Sequence, residues 1–460
     1  MSLLSDTFAP INTSRNNLFH YNTGTLFDLG SGYFVQGYDG KMYLNGGLGC
    51  QIHGVVGQNG HFKSSFALGE SARVRAIYKT TQVVADTEDS VDQDQERVET
   101  MTEELCDRTS PDDVKWLAGA EYPLEEVDLW IQKHCYAKMA KGQDIYIDTP
   151  ILDPETGKRH RQILPTVIDI DSFSELISKD ENDKTSIENP DTEKAPLSDS
   201  SIKTVWMGDG NKKTMFTRLM RQRCEKYGLI LVLTGHYDQK MAIDQWHPNV
   251  KETLFGKQDW AVKNVGSKFK FLSSIYIRTA ATCLQDSNKE AMYSLGKTTP
   301  TDIFEVSIAI DRCKAAVAGT ITPFICSQTN GLLNAATNYN YIRLDKYYGC
   351  KGSAVKQQLC LLPDLTISRN TIRQLAEDNG ELRRALEITA QLCFIKNNWN
   401  FENVPYDLKT DPKNIFDWLM SDKHKTLRDD ILHSRGWWSP YEEELPYMSV
   451  VEIMDAINKD

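Results

Sequence analysis

Short, almost wholly apolar runs alternate along the chain with stretches of helical periodicity. The run Ile52 to Val56 is followed by Gly57-Gln58-Asn59-Gly60-His61-Phe62-Lys63-Ser64, and the next residues predict a helix over 64–77. Thr81-Gln82-Val83-Val84-Ala85 reads as a short buried strand ending in Asp86-Thr87-Glu88, and Thr166 to Ile170 as a second ending in Asp171-Ser172. A third, Leu229 to Leu233, runs into Thr234-Gly235-His236, and strand-like segments recur at 271–278, 303–310 and 320–326. Residues 89–143 read as mainly helical, with Leu124, Val127, Ile131 and Cys135 at helical spacing and Trp116 and Leu117 as earlier apolar anchors. A hairpin is expected over 144–164 about Asp153-Pro154-Glu155-Thr156-Gly157. The basic amphipathic helix that follows has Met215, Phe216, Leu219 and Met220 as its apolar face, and beyond about residue 350 the pattern turns helical.

Strands alternating with helices predict an α/β domain with a mostly parallel central sheet, a fold in which ligands sit outside the carboxyl ends of the strands. The expected organisation is an N-terminal arm (1–21), a core (22–349, with loop insertions near 144–164 and 178–202) and a small helical C-terminal domain (350–460). The 460 residues suffice for a large core. A net charge of -12 argues against a surface that is basic throughout but leaves room for a local electropositive stripe. The ten cysteines are scattered without a C-x-x-C pair, which points to free thiols rather than zinc or disulfides. No apolar run spans a bilayer and the first residues do not read as a signal peptide, so a soluble intracellular protein is expected. Charge is uneven: Lys179 to Ser201 is acidic and reads as a flexible insertion, whereas 238–270 interleaves lysines with Trp246 and Trp260.

Gly57 to Ser64 has the layout of a phosphate-binding loop, G-x-x-x-x-G-K-[ST], in which backbone amides cradle phosphates, the lysine contacts the outer ones and the hydroxyl ligates Mg2+. Phe62 stands where glycine is usual, and its ring is expected to turn out of the loop and pack on protein. Nucleotide hydrolysis needs a metal and a base besides the cradle. Asp171, at a strand end, suits a magnesium ligand acting through water, and Glu88, at another, suits the group that holds the attacking water.

The ordered set resembles the RecA family of ATP-dependent recombinases, and Phe-Lys-Ser in the loop looks like the T4-like phage branch. Asn22-Thr23-Gly24-Thr25-Leu26, Gly46-Gly47-Leu48, Asp86-Thr87-Glu88, Met207-Gly208-Asp209 and Arg312-Cys313-Lys314 are similar to family motifs in the same order. The resemblance implies a RecA-like P-loop ATPase core. Gly57, Gln58, Asn59, Gly60, His61, Phe62, Lys63, Ser64 and Ser65 would bind ATP, Ser64 and Asp171 Mg2+, and Glu88 would be the base, with His236 at the sensor position. Arg312 and Lys314 would reach across a subunit interface to the neighbour's ATP. Lys203, Trp206, Gly208, Lys257, Trp260, Lys263 and Lys268, on two loops (178–210 and 238–267), would contact single-stranded DNA by phosphate contacts and stacking, with the acidic residues 180–200 swung away from the filament axis. Implied partners are homologous duplex DNA, further copies of the chain in a helical filament rather than a ring, and phage single-strand-binding and mediator proteins in the cytoplasm of an infected bacterial host. The chain departs from the family at Thr234-Gly235-His236, where Asn-Gln or Asn-His is usual, and has no aromatic between Glu88 and Thr100 to stack on adenine. No N-terminal packing helix is visible, although Phe8-Ala9 suits a short docking strand. A ring helicase or other motor, or a nucleotide-controlled scaffold without strand exchange, would share these motifs.

Overall fold

The computed structural model describes residues 16–88, 113–118, 122–179, 199–239, 252–253, 256–257, 260–266, 268–296, 299–398, 415–436 and 444–459. Ten strands form one sheet: β1 (Ile52–Gly57), β2 (Thr81–Asp86), β3 (Val114–Ala118), β4 (Thr166–Asp171), β5 (Leu229–Gln239), β6 (Trp260–Val262), β7 (Ile275–Cys283), β8 (Ile303–Cys313), β9 (Ile321–Ser327) and β10 (Gly331–Leu332). Their spatial order is β10-β9-β8-β7-β1-β5-β4-β2-β3, with β6 paired to β5. From β7 to β3 every pair is parallel, and from β7 out to β10 every pair is antiparallel. All six residues of β1 and of β4 are buried, as parallel strands covered on both faces require.

The helices that bear on the site are α1 (Leu26–Ser31), α2 (Lys63–Tyr78), α3 (Leu124–Met139), α4 (Asp199–Tyr227), α5 (Asn334–Leu344) and α6 (Gly380–Asn398). Successive β1 residues serve opposite layers, because side chains alternate across a strand. Ile52 and Val56 pack among Leu124, Val127 and Ile131 of α3 and Phe216 and Met220 of α4. Val55 belongs to the other layer, with Phe66, Val74 and Ile77 of α2. The chain is thus an α/β protein with helices on both faces of a sheet whose centre is parallel. Helix α6 packs against α5 and α1, and its apolar residues share a core with Phe19, Tyr21 and Leu26. Among the described residues, no helix is long and apolar enough to cross a membrane.

Several local expectations are corrected. Trp116 and Leu117 lie on β3, at the sheet edge, rather than in a helix. Helix α4 starts at Asp199, so Lys203, Trp206 and Gly208 sit on a helix and not in a loop. Its inward ridge is Phe216, Met220 and Cys224, spaced by four, whereas Met215 (64% exposed) and Leu219 (44%) lie one residue round from it and face outward. Lys213, one of this helix's basic residues, is buried and paired with Asp209 at 2.9 Å. Strand β5 continues to Gln239, placing Thr234, Gly235 and His236 within it, because β6 supplies an antiparallel partner at Tyr237. Strand β8 likewise extends through Arg312 and Cys313. The region after 350 opens with three short antiparallel strands, Cys350–Gly352, Gln357–Leu359 and Thr366–Ile367, too short to carry a readable alternation. Residues 180–198, Phe8-Ala9, Trp246 and Lys251 lie outside the described residues.

Candidate functional site

Strand register brings the candidate residues to one edge of the sheet. Gly57 closes β1 opposite His236 of β5 and Thr279 of β7, and Asp86 closes β2 opposite Asp171 of β4. Beside Thr279 as it stands, position 57 takes only glycine, since a Cβ there would lie 2.2 Å from Thr279 Oγ1. The loop then turns, with the His61 amide donating to the Gln58 carbonyl at 3.2 Å and Gly60 at φ +74°. Phe62 caps α2 with φ 55° and ψ 26°, the left-handed conformation that favours glycine. Its ring rests on Phe304 of β8, centroids 4.7 Å apart, and so lies against protein as expected. The Phe66 amide makes the first helical bond, to the Phe62 carbonyl at 3.0 Å. The amides of Lys63, Ser64 and Ser65 therefore belong to the first turn, whose N–H groups have no acceptor within the helix.

Lys63 is 6% exposed and, among the described residues, forms no hydrogen bond or ion pair. A lysine whose stem is this enclosed and whose charged end makes no direct contact is stabilised by an anion beside it. Ser64 is half-buried, whereas Ser65 is buried within the protein.

Beside the loop, the ends of β2 and β4 are strapped together. Thr87 donates its amide to the Asp171 carbonyl (2.7 Å) and its hydroxyl to the Ser172 carbonyl (2.9 Å), and accepts from the Ser172 amide (2.8 Å). Asp86 and Asp171 are both buried; Asp86 accepts from the Glu88 amide at 2.9 Å, and Asp171 accepts from the Thr234 hydroxyl. The Asp171–Ser172 peptide bond is cis. Glu88 Oε1 meets His236 Nε2 at 2.8 Å, and the His236 amide donates to Ser174 Oγ at 3.1 Å. The hydrogen bond from His236 is the main reason Glu88 titrates below the ordinary carboxylate range; partial burial opposes it, and the Lys63 charge assists. Lys63 and Glu88 thus share one electrostatic environment.

Next to His236 opens a cavity of about 510 Å³ lined by Gln58, Asn59, Glu175, His236, Tyr237 and Lys263. Lys263 is anchored there by its amide to the His236 carbonyl (2.9 Å) and pairs with Glu175 at 3.4 Å. Lys268 is exposed at the start of the short helix Phe269–Leu272, and Gly208 is exposed on α4. Lys203 and Trp206 belong to α4 by backbone, Lys257 to the short strand Gly256–Lys257 and Trp260 to β6; their side chains lie outside the described residues.

Arg312 and Lys314 do not join this cluster. Tyr276 pairs with Arg312 and Ile275 with His53, so these cations stand where the parallel strands begin, at the far end of the sheet from Gly57. Arg312 donates to the Ser273 carbonyl and Lys314 to Ser274 Oγ at 3.2 Å. Burial, then the neighbouring charges of Arg221 and Arg312, pull Lys314 down to about 8. Arg221 of α4 is therefore a third member of this cationic group. Glu175, Tyr237 and Thr279 were unmarked as site residues, because each acquires its place from strand register and not from a local motif.

The fold and the site define an α/β protein whose polar cluster gathers at the carboxyl ends of parallel strands. No family model matches the chain, and no curated protein matches it.

Proposed function

We propose that this protein is a RecA-like P-loop ATPase that assembles on single-stranded DNA and uses ATP to promote homologous pairing and strand exchange. The observation that carries the reading is Lys63: a largely buried lysine whose side chain has no hydrogen-bond or ion-pair partner among the described residues, at the N-terminus of α2 and in electrostatic contact with a carboxylate poised at the next strand end. A triphosphate matches Lys63 in charge. The amides of the loop would take its phosphates and Lys63 its outer oxygens, while Ser64 and, through water, Asp171 would hold Mg2+, whose charge offsets that on the phosphates. Glu88, ionised and oriented by His236, would position the attacking water. Because His236 also lines the neighbouring cavity beside Lys263, it suits a residue that couples nucleotide state to DNA contact. Arg312 and Lys314, at the opposite end of their own sheet, suit a role toward a neighbouring copy, which favours a polymer whose stability follows its nucleotide.

The test is ATP hydrolysis with and without single-stranded DNA. Stimulation by DNA is expected, together with loss of turnover in Lys63→Ala. Unchanged turnover in that variant would overturn the loop assignment. Joint-molecule formation between a single strand and a homologous duplex separates a recombinase from a motor or scaffold.

A further inference from the structure

A second cavity, of about 330 Å³, lies at the other end of the sheet, where β2 begins at Thr81 and β4 at Thr166. One wall is a face of α3 continued past its end, carrying His134, Lys138 and Lys141, and Lys79 adds a further cation at the C-terminus of α2. Ile145 and Pro165 supply an apolar wall. We propose that this cavity binds a small phosphomonoester with an apolar body, at a site separate from the phosphate loop.

Charge selects the ligand class. Three lysines face a single carboxylate in the lining, Asp144, leaving a surplus of two positive charges that a phosphomonoester dianion matches. None of these lysines forms an ion pair among the described residues. Lys138, only 8% exposed, donates to the Gly228 carbonyl (2.9 Å) and to Thr166 Oγ1 (3.2 Å), and His134 Nε2 meets the same hydroxyl at 3.0 Å. An ammonium has three donors, so one remains beyond these two bonds. Burial brings Lys138 down to about 8, with Cys50 and Cys135 opposing and Lys141 assisting, and brings His134 down to about 4, with Lys138 and Lys141 assisting. The repulsion between Lys138 and Lys141 is what a bound anion relieves. Capping of the carboxyl end of α4 accounts for the bond to Gly228 but not for two unpaired lysines at the rim. The volume falls within the small-ligand range of roughly 300–1,000 Å³.

Calorimetric titration of the full chain with phenyl phosphate tests the proposal, with inorganic phosphate, phenol and phthalate as comparisons. Saturable binding of phenyl phosphate is expected, tighter than for any comparison. The exposed double substitution Lys79→Gln with Lys141→Gln should weaken it roughly tenfold or more, since each lost charge-assisted bond matters on that scale. Lys63→Ala should leave it unchanged. Absence of saturable binding, indifference to the double substitution, dependence on Lys63, or tighter binding of phthalate would each overturn the proposal.

Discussion

His236 and Glu88 show how a single contact sets a functional property. With the imidazole at 2.8 Å, the carboxylate stays ionised to lower pH than an ordinary glutamate. Replacing His236 by phenylalanine removes the donor, so Glu88 should titrate higher and the acid limb of the ATPase pH profile should move to higher pH; an unmoved limb would detach the base role from this pair. Glu88→Gln should cut kcat by roughly 10²–10⁴-fold while nucleotide binding persists, as loss of a general base does. Glu70 behaves oppositely. It is fully buried on α2, accepts from Thr25 Oγ1 at 3.1 Å, and is pushed up to about 8 first by burial and then by Asp28. Its native pKa exceeds the unfolded one, so its contribution to stability is full below about 4.5 and is lost as pH rises through about 8. Glu70→Gln, which keeps a neutral acceptor for Thr25, should therefore flatten the fall in Tm over that window, a result thermal unfolding can check.

Between β1 and α2, backbone geometry and packing decide what the loop tolerates. Phe62 holds a left-handed conformation that costs a non-glycine residue about 1–2 kcal/mol, and its ring on Phe304 offsets that cost. Phe62→Ala should destabilise the protein by about 2 kcal/mol, whereas Phe62→Gly should cost about 1 kcal/mol less because glycine accepts φ 55° freely. Chemical denaturation giving the reverse order would mean that the left-handed backbone at this position carries no strain that glycine relieves. The nearby close approach of Gly57 to Thr279 makes a coupled pair. Gly57→Ala should impair nucleotide binding, and adding Thr279→Ala should restore part of it, because the clashing atom is the threonine hydroxyl.

Across the whole molecule, the Gly57–Ser64 loop and the Arg312–Lys314–Arg221 group occupy opposite ends of one sheet. Under the proposed function, these cations would complete a neighbour's nucleotide site in copies stacked head to tail, the heterologous arrangement that yields filaments or rings. Mixing inactive Lys63→Ala with inactive Arg312→Ala subunits should therefore recover some ATPase activity at mixed interfaces. No recovery, with assembly shown intact by light scattering, would exclude action in trans. Electron microscopy with an ATP analogue and single-stranded DNA would separate a filament from a ring.

The apolar runs of β1, β2 and β4 and the loop after β1 were legible in the chain because each is local: a buried parallel strand reads as a continuous apolar run, and a glycine-rich turn into a helix declares itself within a few residues. The continuation of β5 through Thr234 to His236 was not, since that segment is polar and becomes strand only by pairing with β6 and β1. Nor was the outward turn of Met215 and Leu219, because periodicity names a stripe and only the sheet beneath α4 decides its edge. The sequence by itself determined the class of fold and which residues carry candidate chemistry. Tertiary structure alone decided that Lys63, Glu88, His236 and Asp171 meet at one end of the sheet while Arg312 and Lys314 stand at the other, because strand order and register are long-range choices that no local stretch encodes.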